Sequence, residues 1–434
     1  MVEFRTSALR SWRGGGTIRA EMAGDSLDAV PVVTAFLYRR GRVLLLRRSA
    51  RVGTYPGRWA GVSGYVERPP IAQARRELRE EVEVGPGDGS LRGIGLPLRV
   101  KDPGVHRPWL VFTFLFRLRE GAEISTDWET AETAWVKPEE VGERETVPGL
   151  AAGLARVWPP WGSEAFWREM EGVAADTFAG ATELALRGLR AVARLRGEAR
   201  ARGLRAFAAL RPSMGIFPHL AARAVCDGEK IRELTREVER ATAESAQRAA
   251  GALSGCGRVL THSASRACRE ALLLCKDSVA EVVVTESRPK REGVALARDL
   301  AGAGLRVGLI GDAAMGLYVP RCDAVLVGAD AIADGDMVVN KVGTRLAALA
   351  AREAGVPCYG VAQTHKICPR GWPVALGMQE PSELARARGV RVANVAFDAT
   401  PLSWFTEVVT ERGRLTAGLM RRVRRELARG SLLP

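Results

Sequence analysis

The chain has 434 residues, of which 47% are hydrophobic and 26% charged, and its formal net charge is +14. This length exceeds what one ordinary hydrophobic core needs, so two or three domains are expected. No apolar run approaches the roughly 18 residues that a membrane helix requires, so no membrane partner is expected. The positive charge leaves two interpretations open, either a nucleic-acid partner or an Arg-rich surface in which Glu residues are interleaved.

Two features at the level of the whole chain bear on its compartment. The seven cysteines are scattered without a CxxC pair or a Cys/His cluster, which predicts small core residues in a reducing cytoplasm. The N-terminal segment, 1–28, is Arg-rich and lacks the apolar segment of a secretory signal. We expect either a disordered extension over residues 1–28 or a start site placed too far upstream.

The first folded domain is expected over residues 29–157. Apolar runs at 30–36 and 41–47, joined by a polar turn with a glycine, predict a β-hairpin. Further strands are predicted at 59–66, 109–118 and 134–136. Between the first two of these lies a segment with helical periodicity, which includes ARRELREEVEVG at residues 74–85.

This acidic segment admits two interpretations. The apolar residues at 71, 74, 78 and 82 fall on one stripe and predict the buried face of a helix. Glu77 and Glu81 fall together beside that stripe, and Glu80 lies further round. Taken alone, the pattern favours a solvent-exposed face on which arginines pair with the carboxylates. The alternative is a metal site, because carboxylates at this spacing direct several hard oxygen ligands to one point.

The residues around the helix favour the metal site. GVSGYVE at 61–67 and RELREE at 76–81 together resemble the Nudix box, G-x5-E-x7-R-E-U-x-E-E-x-G-U. The resemblance implies an α/β/α sandwich with a mixed sheet that hydrolyses a nucleoside diphosphate derivative, for which ADP-ribose is an attractive choice. It also implies that Mg2+ (or Mn2+) is the cofactor and that Glu77, Glu80 and Glu81 are its ligands. Arg76 would hold the helix by pairing with a carboxylate.

Two departures from the Nudix pattern leave an alternative open. The spacing from Gly64 to Arg76 is shorter by two positions than the pattern requires, with Pro69-Pro70 in the shortened loop, and Glu83 replaces the late glycine. The alternative is a Nudix fold that binds a ligand without hydrolysing it. Outside the box, Glu129 and Glu132 are further candidates for a ligand or base.

A second region begins after Trp158-Pro159-Pro160-Trp161, because two prolines prevent a helix from continuing. Residues 163–253 are rich in Ala, Arg and Glu at helical spacing and predict a helical subdomain. Residues 256–425 alternate short apolar runs with Ala-rich helical stretches. That alternation predicts a doubly wound, Rossmann-like parallel sheet.

Several motifs in this region occur together. They are RPSM at 211–214, LTHSAS at 260–265, TESRP at 285–289, IGDAA at 310–314, VGADAI at 327–332 and DGDMVVNKVGT at 334–344. They resemble the superfamily that joins the initiation factor 2B alpha, beta and delta subunits with ribose-1,5-bisphosphate and methylthioribose-1-phosphate isomerases. The resemblance implies a sugar-phosphate or nucleotide site at the carboxyl ends of the strands. Its candidate residues are Arg211, Ser263, Ser265, Arg288, Asp330, Asn340, Lys341 and Lys366.

The chemistry of this second site is open at the sequence level. Asp330 beside Lys341 is a candidate acid/base pair, and the structural alternative is that Asp330 caps the next helix while Lys341 pairs with it. The isomerases of the superfamily use a Cys/Asp pair, and Ser263 occupies the Cys position. A hydroxyl is a poor replacement for a thiol acid, so binding without isomerisation is favoured over isomerase activity.

Two functions from different classes follow from these resemblances. The first is a Nudix hydrolase fused to a domain that binds a sugar phosphate or nucleotide. The second is a non-catalytic, initiation factor 2B-related regulatory protein with translation initiation factor 2 as a candidate partner. In both cases the superfamily resemblance implies a homo-oligomer formed through the C-terminal domain.

Overall fold

The computed structural model describes residues 29–102, 104, 108–226 and 231–430, so the expected extension over 1–28 lies outside the described residues. The chain divides into two compact units. The first comprises residues 29–65 and Pro70–Glu164, and the second comprises Val66–Pro69 and residues 165–430. No described helix combines the length and the apolar character needed to cross a membrane.

The first unit is an α/β structure. Its strands are β1 (Val30–Arg39), β2 (Arg42–Arg48), β3 (Trp59–Ala60), β4 (Val62–Tyr65), β5 (Gly89–Ile94), β6 (Leu98–Val100), β7 (Trp109–Leu118) and β8 (Thr130–Val136). Its helices are α1 (Pro70–Val82), α2 (Leu150–Ala155) and the start of α3 (Glu164–Ala175), with a 3-10 turn at Pro138–Glu143.

The described strands of the first unit form one mixed sheet around β1. Strand β1 pairs in parallel with β7 and antiparallel with β2 and β4. The predicted hairpin is confirmed: Arg39 pairs with Arg42, and the two turn residues, Arg40 and Gly41, have φ of 49° and 74°. Positive φ at both positions is what a two-residue type I′ turn requires. Strands β5 and β6, which we did not predict, pair antiparallel with β7.

The predicted strand at 59–66 is two strands, because the chain changes partner at Gly61. Strand β3 pairs with β2, whereas β4 pairs with β1. An alanine Cβ at Gly61 would lie 3.0 Å from Thr34 Cγ2, so the small residue allows the close crossing. The change of partner leaves the end of β4 facing helix α1, which positions the candidate metal site.

The second unit begins with the predicted helical subdomain and continues into an α/β part. The helices are α3, α4 (Ala181–Ala193), α5 (Gly197–Ala209), α6 (Ile216–Cys226), α7 (Ile231–Ala252), α8 (Arg266–Leu274), α9 (Glu292–Gly302), α10 (Met315–Tyr318), α11 (Thr344–Ala354), α12 (Pro381–Leu384) and α13 (Ala417–Ala428). The strands are β9 (Arg258–His262), β10 (Glu281–Thr285), β11 (Val307–Ile310), β12 (Ala324–Gly328), β13 (Ala331–Ala333), β14 (Met337–Lys341), β15 (Cys358–Val361), β16 (Phe397–Pro401), β17 (Glu407–Thr410) and β18 (Gly413–Arg414).

The predicted doubly wound sheet is confirmed. Its order is β11-β10-β9-β12-β15-β17-β18, and every pairing is parallel except that of β17 with β18. Counted along the chain, the six parallel strands follow the 3-2-1-4-5-6 order of the Rossmann fold. A small antiparallel sheet, β13-β14-β16, which we did not predict, includes Asn340 and Lys341 at the end of β14.

The core of the second unit agrees with the apolar runs. Val259, Val282, Val284 and Leu326 are fully buried, as expected for parallel strands covered by helices on both faces. The cysteines whose side chains the structure describes are free thiols, and most are buried, as predicted: 256, 268, 275, 322, 358 and 368. They contribute small apolar volume to the core.

Candidate functional site

Helix α1 directs two carboxylates at the end of strand β4. Its apolar stripe is buried, so the adjoining Glu81 is also buried, with 9% of its surface exposed. Glu81 Oε1 accepts a hydrogen bond from the Ser63 amide at 3.2 Å. Gly64 leaves the space that Glu77 fills: an alanine Cβ there would lie 2.0 Å from Glu77 Oε1. Glu77 and Glu81 therefore lie together against β4.

The connection before α1 accommodates the shortened loop. Tyr65 ends β4 and Pro70 begins α1, so four residues join them. Proline suits the first position of a helix, because its fixed φ matches and its missing amide hydrogen has no helical partner there. The two-residue deletion and the Pro69-Pro70 pair thus leave Glu77 and Glu81 in place against β4.

Electrostatics link these carboxylates to Glu129, in the loop before β8. Burial raises the pKa of Glu77, and the charges of Glu80 and Glu129 raise it further. Burial also raises the pKa of Glu81 well above its usual range, with added repulsion from Glu77 and Glu129. Glu77, Glu81 and Glu129 therefore lie within electrostatic range of one another, and we call these three residues the carboxylate cluster.

The other acidic candidates are turned outward. Glu80 is exposed, and its Oε1 accepts a hydrogen bond from Arg76 Nε at 2.7 Å. The implied pairing of Arg76 with a carboxylate is thus present on the helix surface. Glu132 lies on β8 and pairs with Arg47 at 3.3 Å, at the surface.

The donor set of the carboxylate cluster suits a divalent cation. Mg2+ and Mn2+ prefer hard oxygen ligands, and a bound cation would offset the repulsion that raises these pKa values. As they stand, no three His, Cys, Asp or Glu side chains among the described residues are arranged to hold a metal ion. Like charges without a cation between them repel, which opposes convergence of these carboxylates on one point.

The second candidate site lies where β9 and β12 are neighbours. From these two central strands the chain proceeds toward opposite edges of the sheet. Open α/β sheets bind ligands in the crevice that such a reversal creates at the carboxyl ends of the strands. Here β9 ends at His262 and β12 at Gly328, so Ser263 and Asp330 both lie at the crevice.

Ser263 sits in a tight, hydrogen-bonded turn after β9. Its φ is 66°, and Ser287 at the end of the neighbouring β10 has φ of 61°. The Ser263 amide donates to Ser287 Oγ at 2.9 Å, and its own hydroxyl donates to Glu292 Oε1 at 3.3 Å. Ser263 is therefore held between the ends of two strands and the first turn of helix α9.

Lys341 pairs with Glu292. The alternative in which Asp330 caps the next helix and pairs with Lys341 is therefore wrong. Lys341 Nζ lies 2.8 Å from Glu292 Oε1, and Asp330 is followed by strand β13 rather than by a helix that it could cap. Burial raises the pKa of Asp330, while the charges of Lys366 and Lys341 lower it. Asp330 is therefore subject to the positive charges of Lys366 and Lys341, but the salt-bridge partner of Lys341 is Glu292.

Two buried cations complete the crevice. Arg211 has only 8% of its surface exposed, and its Nη2 has no hydrogen-bond partner among the described residues. Burial lowers the pKa of Arg211 to about 10, so it stays charged at neutral pH. Lys366 is also buried and donates to the Ala329 carbonyl, and burial lowers its pKa. The crevice is therefore suited to an anion.

The remaining candidates have bonds that organise the loops. Ser265 caps helix α8 by accepting the Cys268 amide at 3.4 Å. Asn340 donates to Thr344 Oγ1 at 2.9 Å, at the start of α11. The Arg288 guanidinium donates to the Leu384 carbonyl, at the end of α12, at 3.3 Å.

Sequence reasoning missed Glu292 and Lys290, and it placed Asp312 in the IGDAA motif without a role. Asp312 accepts the amides of Ser287 and Arg288, each at 2.7 Å, and so fixes the turn after β10. Lys290 and Glu292 lie within three residues of the end of the TESRP motif. The available signal for Glu292 was its position as an acidic residue in the first turn of a helix that follows a buried strand. Their importance depends on partners far away in the chain, which local patterns do not show.

Two family models match the chain. The NUDIX domain model matches residues 28–157, and the initiation factor 2 subunit family model matches residues 221–417. A solved structure of Pyrococcus horikoshii translation initiation factor eIF-2B superposes with a TM-score of 0.50 at 29% identity. That superposition covers 60% of this chain and 99% of the other.

Curated relatives carry two kinds of name. A "putative translation initiation factor eIF-2B subunit 2-like" protein of Pyrococcus furiosus is 34% identical over 42% of this chain and 67% of its own length. Its Pyrococcus horikoshii counterpart is 37% identical, and the chain covers 66% of it. A ribose 1,5-bisphosphate isomerase of Archaeoglobus fulgidus is 39% identical over 31% of this chain, which spans less than half, 45%, of that relative. The chain therefore carries an N-terminal NUDIX domain and a C-terminal domain that belongs to the initiation factor 2 subunit family.

Proposed function

We propose that the N-terminal domain is a Mg2+- or Mn2+-dependent hydrolase of a nucleoside diphosphate derivative such as ADP-ribose. The carboxylate cluster of Glu77, Glu81 and Glu129 is the observation that carries this proposal. Three acidic groups near one another, two of them with pKa values raised by burial, are unfavourable in a purely structural role.

Each residue has a distinct role in the proposed hydrolase. Glu77 and Glu81 would hold the cation, with Glu129 as an additional ligand or a base and Glu80 as a ligand after release from Arg76. A bound divalent cation would neutralise the diphosphate and lower the pKa of a bound water. The Ser63 amide positions Glu81 through a hydrogen bond, and the missing side chain of Gly64 leaves the space that Glu77 fills.

For the C-terminal domain we propose binding of a sugar phosphate or nucleotide without isomerisation. Lys341 and Lys366 supply positive charge around Asp330, and Arg211 adds a buried guanidinium with an unpartnered Nη2, as a phosphorylated ligand requires. Ser263 stands at the position of the isomerase thiol, and its hydroxyl donates to Glu292. A hydroxyl does not provide the thiol/thiolate acid–base chemistry that the related isomerases use.

The hydrolase is tested by substitution of the buried carboxylates. The full chain is incubated with ADP-ribose and MgCl2, and release of AMP is followed by chromatography. Glu81→Gln removes a charge without changing shape and should abolish Mg2+-dependent release. Glu139→Gln, on an exposed turn of the same unit, is the matched control and should keep wild-type activity. Equal turnover by Glu80→Gln/Glu81→Gln and wild type would exclude this metal site.

A non-catalytic role remains the alternative, and two observations favour it. The relatives named as initiation factor 2B-like match the C-terminal region, and the described carboxylates do not already form a metal-ligand arrangement. In that role the protein would regulate translation initiation, with translation initiation factor 2 as the partner. A ligand-induced rise in Tm without turnover of ADP-ribose, NADH or dinucleoside polyphosphates would support it.

We also propose that the protein is a cytoplasmic homo-oligomer assembled through the C-terminal domain. Leu317 on α10 and Leu346 and Leu349 on α11 are exposed, and apolar side chains of this size gain from burial against another subunit. Light scattering of the full chain tests this, and a monomer mass at micromolar concentration would contradict it.

A further inference from the structure

Helix α13 of the second unit presents a surface face made of arginines. Its apolar side is buried through three residues that are each 2% exposed: Met420, Val423 and Leu427. At about 100° per residue, the opposite side of the helix forms one contiguous arc. That arc carries four exposed arginines, which we call the arginine face: Arg421, Arg422, Arg425 and Arg429, the last at the C-cap of the helix.

The arginine face lacks the carboxylate partners that exposed arginines have elsewhere in this chain. Arg40 lies 2.9 Å from a Glu120 oxygen, and Arg119 lies 2.6 Å from an Asp88 oxygen. Among the described residues, no carboxylate forms an ion pair with any guanidinium of the arginine face. An Arg-rich surface with interleaved Glu residues therefore does not account for this helix.

The carboxylates that lie close to α13 already have other partners. Glu426, the acidic residue of the helix itself, is 3.5 Å from Arg412 in the turn between β17 and β18. Asp334 is 3.3 Å from Arg424, on the flank of the helix, and Arg424 also donates to the Ala333 carbonyl at 3.0 Å. The helix is thus fixed on the fold while the charge of its arginine face is uncompensated.

This arrangement of charge disfavours the isolated helix. Arg421 and Arg425 are four residues apart, as are Arg425 and Arg429, and like charges at that spacing repel. The helix dipole favours cations near the last turn, so it does not account for Arg421 and Arg422. A polyanion bound from outside would remove the repulsion, so the arginine face is suited to such a partner.

We propose that the arginine face binds the phosphate backbone of a nucleic-acid duplex. Guanidinium groups bind phosphate through two parallel hydrogen bonds. From Arg421 to Arg429 the helix rises about 12 Å, a length over which a duplex presents roughly seven phosphates. Helix α13, all of whose residues the structure describes, has no aromatic side chain on which the bases of a single strand could stack. Its apolar side is buried, so that side is not available for insertion into a membrane.

Fluorescence anisotropy of labelled duplexes tests the proposal with the full chain. RNA and DNA duplexes of about 20 base pairs are titrated in EDTA between about 50 and 200 mM KCl. The logarithm of the binding constant should fall with the logarithm of the salt concentration, with a slope of about −3.6 for four neutralised phosphates. Binding of either duplex supports the proposal, because both have the same backbone charge, and the tighter one identifies the preferred nucleic acid.

Substitutions separate the arginine face from the net charge of the chain. Arg421→Gln/Arg425→Gln should weaken duplex binding at least about tenfold at 50 mM KCl and make the slope less negative by about 2. Arg421→Lys/Arg425→Lys keeps both charges and should keep the slope. Arg40→Gln/Arg119→Gln is the matched control, because it removes the same charge from two exposed arginines that have carboxylate partners, and it should keep the wild-type slope. Glutamine is a good helix former, so the Tm of Arg421→Gln/Arg425→Gln should not fall.

Three results would overturn the inference. The first is that neither duplex binds at 50 mM KCl. The second is an equal loss of affinity in Arg421→Gln/Arg425→Gln and in the control, which would attribute binding to net charge alone. The third is tighter binding of poly-glutamate, or of vesicles that contain phosphatidylserine, than of either duplex. That result would assign the arginine face to an acidic protein or to a membrane surface.

Discussion

Replacing Gly64 with alanine should separate catalysis from folding in the N-terminal domain. The added Cβ would lie 2.0 Å from Glu77 Oε1, 2.3 Å from its Cδ and 2.9 Å from its Cγ, whereas ordinary contact begins at 3.4 Å. The carboxylate must therefore move by about 1.4 Å from its place in the carboxylate cluster. A misplacement of about 1 Å at a reacting centre lowers rates on the order of 100-fold.

Stability should change little in the same variant. The contacted atoms belong to the end of a flexible side chain, and the backbone of Gly64 is not in the left-handed region. Alanine is intrinsically more favourable than glycine in a strand by about 0.5–1 kcal/mol, so the free energy of unfolding should shift by less than about 1 kcal/mol.

Two measurements read out the effect of Gly64→Ala. The first is kcat/KM for Mg2+-dependent release of AMP from ADP-ribose, and the second is the Kd for Mn2+ by electron paramagnetic resonance. Gly142→Ala is the matched control, because nothing lies within 4 Å of an added Cβ there. Wild-type kcat/KM and wild-type Mn2+ affinity in Gly64→Ala would refute the placement of Glu77 in a metal site.

Two further predictions concern the second unit. Burial lowers the pKa of His219 to about 4, below the unfolded value of about 6.5, so the unfolded chain binds the proton first and stability falls as pH drops through this window. The full effect on the free energy of unfolding is roughly 3 kcal/mol. Measured by urea unfolding between pH 7.5 and 4.5, the free energy of unfolding should change less with pH in His219→Gln than in wild type. Parallel pH profiles for the two proteins would contradict this. Gly293→Ala places a Cβ 1.8 Å from the Thr285 carbonyl oxygen, a backbone atom, and should destabilise by about 3 kcal/mol or more. Its control in the same helix is Gly302→Ala, which meets nothing within 4 Å, and equal midpoints in urea would count against the crossing of α9 over β10.

Much of the sheet framework was predictable because it depends on local patterns. The runs at 30–36, 109–118 and 281–285 became strands β1, β7 and β10. Their apolar residues are contiguous and are bounded by turn residues. Strands β13 and β14 escaped prediction because they are short, and β14 contains Asn340 and Lys341. Strand β13 pairs with β14, and β14 pairs with β16, through tertiary contacts that no sequence period marks.

The site was predictable in its residue types and less so in its pairings. Periodicity placed Glu77 beside Glu81, as the structure has it, because both follow from the buried stripe of α1. The structural alternative in which Lys341 pairs with Asp330 is wrong, because the partner of Lys341 is Glu292. Glu292 lies on a helix after a neighbouring strand, so only the strand order brings the two charges together.

The order of the parallel sheet has a consequence for synthesis on the ribosome. Strand β9 lies at the centre of the sheet and ends at His262, yet its two neighbours emerge at different times. Strand β10 begins at Glu281, but β12 begins only at Ala324. At about 5–20 residues per second, the stretch between His262 and Ala324 takes roughly 3–12 s to synthesise, and one edge of β9 stays open meanwhile. An apolar strand edge exposed for that long is a binding surface for chaperones and for other nascent chains. A truncated chain that ends before Ala324 would keep this edge of β9 unpaired permanently.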